Sequence, residues 1–106
     1  MYPNANQCLS LDDVRSQIDR IDSALVRLVA ERGDYVRRAA ELKTDPSDVP
    51  DPARVARVLS RVGRLAAEAG ADLAVVEATW QAMIGAFIDA EQRLQARLHA
   101  HSPTAG

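Results

Sequence analysis

Apolar residues recur along the chain at helical spacing, and no stretch alternates as a half-buried strand would. Leu11, Ile18, Leu25, Arg32 and Ala39 follow one another every seven residues, and Val14, Ile21, Leu28, Tyr35 and Leu42 form a second such series. Together they make a seam of the kind that packs one helix on another. From Leu11 to about Thr44 there is no proline, and Gly33 is the one interior glycine. At about 1.5 Å per residue, such a helix is about 50 Å long. A compact monomer of this size is about 26 Å across. The remaining chain is too short to cover the whole seam. The pattern therefore predicts an all-α fold of three helices per chain with one very long first helix, intertwined as a helical homodimer.

The clearest break is SDVPDP, residues 47–52. Pro50 and Pro52 exclude helix just before them. Asp51 can cap a second helix with Pro52 at its first position, and that helix is expected to run to about Glu68 and end at Gly70. Asp72 can cap a third helix reaching roughly Leu98. Residues 1–9 read as a flexible arm, 10–99 as one helical domain and 100–106 as a flexible tail.

Composition narrows the function classes. The 106 residues suggest a single small domain, and a formal net charge of -2 gives no bulk attraction to nucleic acid or to an anionic membrane. No apolar run reads as long enough to span a bilayer, and the N-terminus has no signal-peptide pattern. Cys8 is the single cysteine, so a reducing cytoplasm is expected. His99 and His101 are too few for a metal site and read as solvated tail. Neither metal nor cofactor is expected. Asp19 and Asp22 flank Arg20 and read as surface ion pairs, Arg37 and Arg38 as a solvated face, and Trp80 and Met83 as core. Gly33 costs a helix about 1 kcal/mol relative to alanine, which close approach of a substrate or another helix would explain.

Arg32 is the anomaly in the seam. A charge there is costly unless it is paired or bound to something. It can snorkel outward or pair with Asp22 or Glu31. Lys43, however, lies eleven residues on, close to three helical turns and so on the same face, about 16 Å along the axis. The two long side chains could converge on one small anion. Arg15 is about 26 Å from Arg32 along the same helix, too far for one small ligand to bridge. In an antiparallel pair of long helices, Arg15 of one chain approaches Arg32 and Lys43 of the other. That predicts two cationic sites per dimer, each shared between subunits.

Taken in order, VRSQIDRIDSALVRLVAER with Arg15 and Arg32, ELK with Lys43, DPARV with Asp51 and Arg54, and VVEATWQAMIGAFIDAEQ resemble the all-α chorismate mutases and the related isochorismate pyruvate-lyases. The resemblance runs from about Leu11 to Leu98. It implies a cofactor-free enzyme whose intertwined dimer binds a small dicarboxylate, chorismate. Arg15 of the partner subunit and Arg32 would grip the two carboxylates, a task that suits the planar fork of arginine. Arg54 would support a carboxylate or neighbouring acids. Lys43 would hydrogen-bond the ether oxygen of the enolpyruvyl group. Chorismate mutases rearrange chorismate to prephenate without a covalent intermediate, by holding a chair-like conformer and stabilising charge that grows on the ether oxygen.

The family usually places a glutamine on the last helix as a second donor to that oxygen. Counting without gaps from Val76 and Glu77 puts the position at Glu91 rather than Gln92. Helical phase agrees, because Trp80, Ile84, Phe87, Glu91, Leu94 and Leu98 share a stripe, whereas Gln92 lies with Gln81 and Gln95. A carboxylate accepts but cannot donate, so Glu91 must be protonated to serve. Mutase turnover should then be faster at mildly acidic pH. The alternative is that Glu91 is only a counter-ion for Lys43 or an arginine.

Two features divide mutase from lyase. Asp51, three residues before Arg54, stands where family mutases meet the C4 hydroxyl of chorismate, although it also suits an N-cap. Val55 stands where typical mutases have glutamate, and with the short loop KTDPSDVPDPARV it looks lyase-like. The sequence reading prefers the mutase, with isochorismate pyruvate-lyase as the alternative and an amino-substituted chorismate as a third substrate. A non-catalytic dimeric interaction module would explain the seam. It would not explain Arg32, Lys43 and Arg54.

Overall fold

The computed structural model describes residues 2–43 and 51–101. Three α-helices, α1 (Leu11–Leu42), α2 (Pro52–Ala69) and α3 (Leu73–His101), follow a short 3-10 turn at Ala5–Gln7. The fold is all-α, and the chain forms two compact units, one ending at Tyr35 and the other starting at Val36.

The first unit contains the N-terminal residues and most of α1. Asn4 and Gln7 cap the 3-10 turn reciprocally: the Gln7 amide donates to Asn4 Oδ1 at 3.1 Å, and the Asn4 amide donates to Gln7 Oε1 at 2.8 Å. Ser10 then starts α1, its Oγ accepting from the Asp13 amide at 3.0 Å while Asp13 Oδ2 accepts from the Leu9 amide at 3.2 Å. Such a box satisfies amides that the first helical turn leaves without partners. Asp12 and Asp13 also favour the positive end of the helix dipole. Arg20 donates to Gln17 Oε1 at 2.9 Å and stacks 3.7 Å from the centre of the Tyr2 ring. Among the described residues no ion pair joins it to Asp19 or Asp22, so the expected surface pairs give way to this contact. Seam residues Leu11, Val14, Ile18, Ile21, Leu25 and Leu28 are exposed.

In the second unit α2 and α3 pack together across a three-residue connection, Gly70 to Asp72. Asp51 Oδ1 accepts from the Ala53 and Arg54 amides at 3.1 and 3.2 Å, with Pro52 at the first helical position. Gly70, at φ 70° and ψ 25°, ends α2, and the Ala71 amide returns to the Ala66 carbonyl at 2.9 Å. Only glycine takes that left-handed backbone without strain. Asp72 Oδ1 accepts from the Ala74 amide at 3.0 Å and opens α3. Ala40, Val62 and Ala66 are the buried centre. Half-buried Trp80, Met83, Ile84, Phe87 and Leu94 line α3.

Two of these expectations change. The third helix passes Leu98 and runs through His99 to His101. Residues 73–97 contain an 18-residue window of mean hydropathy 1.2, which by length and composition is enough to cross a bilayer, so the reading that no such run exists is corrected. That helix lies along α2 and carries Glu91 on its half-buried face. Arg37 and Arg38 are exposed, as a solvated face requires, and both pair with Glu41, which offsets the positive charge there. The break at 44–50, with Pro50, and the tail at 102–106 lie outside the described residues.

Candidate functional site

The second unit brings together two of the residues singled out from the sequence. Lys43 follows the last turn of α1, its amide donating back to the Ala39 and Ala40 carbonyls at 3.2 and 3.3 Å. Its Nζ lies 3.6 Å from Glu91 Oε2 on α3. The side chains are 28% and 12% exposed, so the pair is largely withdrawn from water. At 3.6 Å the contact is electrostatic and too long for a hydrogen bond. Glu91 Oε2 is buried and takes no hydrogen bond. A buried carboxylate oxygen without a donor is costly, and natural proteins keep few of them. Gln92, one residue further, is exposed. Helix phase explains the difference, because Glu91 falls on the stripe that faces the bundle and Gln92 does not.

Asp51 and Arg54 stand at the start of α2. Both are exposed, and Asp51 Oδ1 is occupied by the capping bonds, which leaves Oδ2 to any other partner. Val55, directly after Arg54, is half-buried. In the first unit Arg15 is exposed on α1 and Arg32 is half-buried. An ammonium and a carboxyl group held together in a partly dry setting can flank one polar atom of a ligand, one as a cation and the other as an acceptor or, when protonated, as a donor. Among the described residues no group of three histidine, cysteine or acidic side chains is placed to hold a metal ion.

Three charges beyond Arg54 were not anticipated. Arg54, Arg57, Arg61 and Arg64 line an open cleft along the outer face of α2, with Ala56 and Ser60 between them. Their steps of three, four and three are the signal, since those spacings place all four on one side of a helix.

Comparison with known proteins gives two matches. Residues 14–92 match the family described as chorismate mutase type II. An isochorismate pyruvate lyase of Pseudomonas aeruginosa is 40% identical over 85 residues, which cover 80% of this chain and 83% of that protein. The family match opens just before Arg15 and closes just after Glu91.

Proposed function

This chain belongs to the chorismate mutase type II family, and on that premise we propose that it transforms a chorismate-type dicarboxylate by breaking the ether bond of its enolpyruvyl group. The observation that carries the proposal is the Lys43–Glu91 pair, half-buried at the two positions expected to flank the ether oxygen. As the bond breaks, charge grows on that oxygen, and a fixed ammonium stabilises it more than it stabilises the ground state. Roles for Arg15 and Arg32 as carboxylate clamps rest on their places in the sequence.

Isochorismate is the preferred substrate in this reading, and salicylate and pyruvate are the products. The ring gives up one hydrogen to the enolpyruvyl methylene carbon, the ether bond breaks, and the ring becomes aromatic. No oxidant or cofactor enters the balance. Two observations support the lyase over the mutase preferred from sequence: Val55 in place of an acid after Arg54, and a 40% identical relative that is a lyase. The capping bonds to Asp51 also weaken the case for that residue as the partner of the C4 hydroxyl. Chorismate to prephenate is the second reading, favoured by the remaining Asp51 oxygen and by a Glu91 that could donate when protonated.

We further propose a homodimer. The first unit holds one long helix and a 3-10 turn, so it has no second helix of its own to cover the exposed seam from Leu11 to Leu28. Most helical stability in proteins comes from packing an apolar face against a partner. A second copy supplies the matching apolar seam and brings Arg15 across to the other subunit. A cytoplasmic location rests on the lone Cys8.

A rigid bicyclic dicarboxylate that mimics the mutase transition state tests the site apart from the reaction it favours. At one hundred times its Kd such a ligand stabilises the native state by about 2.7 kcal/mol, which should raise Tm by about 10 °C in a small domain. An interaction module would show no shift.

A further inference from the structure

We propose that the arginine face of α2 is an electrostatic guide that draws the doubly negative substrate toward the site; the inference rests on the reading of that site as a dicarboxylate-binding one. Arg54, Arg57, Arg61 and Arg64 line one continuous open cleft. All four are exposed, and their span of ten residues is about 15 Å of helix. The cleft walls come from a single helix, so this is a track of charge rather than an enclosed pocket.

The arrangement is not explained by stability. Like charges three and four residues apart destabilise a helix. Counter-ions would remove that cost, but among the described residues none of the four arginines forms an ion pair. Glu68, at the far end, is the one acid within α2, and Asp51, just before the helix, gives one of its oxygens to capping. Small residues, Ala56 and Ser60, fill the positions between the arginines. Arginine also stays charged at every physiological pH, so the face is permanently positive.

Net charge makes the local field matter. With a formal charge of -2, the chain as a whole repels a dianion. A positive face that begins at Arg54 reverses the sign along one approach. Fields of this kind raise association rates by about 10–10³-fold and fade with salt. The screening length is about 30 Å at 0.01 M salt and about 8 Å at 0.15 M, so the four charges act together only at the lower value. Arg57, Arg61 and Arg64 are therefore steering residues that need not touch the bound substrate.

The test uses the full chain and whichever of chorismate or isochorismate it turns over. For the unsubstituted protein, kcat/KM should fall about tenfold from low to high salt, while kcat stays constant. The variant R57Q/R61Q/R64Q, which keeps Arg54, should begin about tenfold lower at low salt and be nearly flat, with kcat unchanged. R57K/R61K/R64K should retain both the rate and the slope. A glutamine variant that keeps the full salt slope would overturn the proposal. So would a lysine variant as impaired as the glutamine one, since geometry rather than charge would then be at work. Loss of the native oligomer in both variants would make the face structural and overturn it too. Absence of turnover in the unsubstituted chain would remove the reading of the site and the guide with it, whereas turnover without salt dependence would remove the guide alone.

Discussion

Replacing Lys43 by methionine is expected to lower kcat by about 10²–10³-fold, the usual loss when one preorganised donor to a developing oxyanion is removed. Methionine keeps the length and apolar stem of lysine and deletes the charge. A second consequence must be separated from the first. Lys43 is the cation beside Glu91, whose Oε2 is buried without a hydrogen bond. Deleting it leaves an unpaired carboxylate, which destabilises the fold by about 1–3 kcal/mol. The double variant K43M/E91Q removes that liability. It should recover the lost stability in thermal melts and still fail to recover turnover. Recovery of both would reduce Lys43 to a structural counter-ion. The single variant E91Q keeps Lys43 and supplies a neutral donor. It should raise prephenate formation at neutral pH.

Replacing Arg32 by alanine should lower kcat/KM by about 10²–10⁴-fold, because a bidentate guanidinium–carboxylate grip contributes two charge-assisted hydrogen bonds of about 1.5–3 kcal/mol each. Circular dichroism and gel filtration should show the helices and the oligomer intact. Lysine at this position should restore little, since a point charge does not reproduce the planar fork. The opposite result, a neutral or more stable variant with unaltered kinetics, is what a purely structural helix module predicts when a seam charge is removed.

The parts of the fold written in local chemistry were legible in the sequence. Asp51 before Pro52, Gly70 after the last turn and Asp72 before α3 each act on amides or carbonyls a few residues away, and α2 and α3 begin where those residues place them. Helical phase was equally informative at Glu91, because a stripe is a property of one helix. The end of α3 was misplaced near Leu98 although a signal was present. Pro103 disfavours helix at the residue before it, which makes His101 a natural last position. The apolar length of α3 was missed because its sparse charges gave it the look of an ordinary packing helix. The arginine face of α2 is not marked by the apolar pattern, because its charges share the spacing of the core stripe on the other side of the helix. Arg15 and Arg32 were recognised as candidates, but what each meets depends on a second chain, and that is not written in any local pattern.

Turnover of isochorismate and of chorismate, offered separately to the purified protein, is the most direct test of the central claim. Salicylate is followed in one assay and prephenate in the other. The account predicts efficient salicylate formation and slower prephenate formation, both without added metal or cofactor. Efficient prephenate with little salicylate would transfer the site to the mutase reading and give Asp51 the greater weight. Absence of both products would contradict the account.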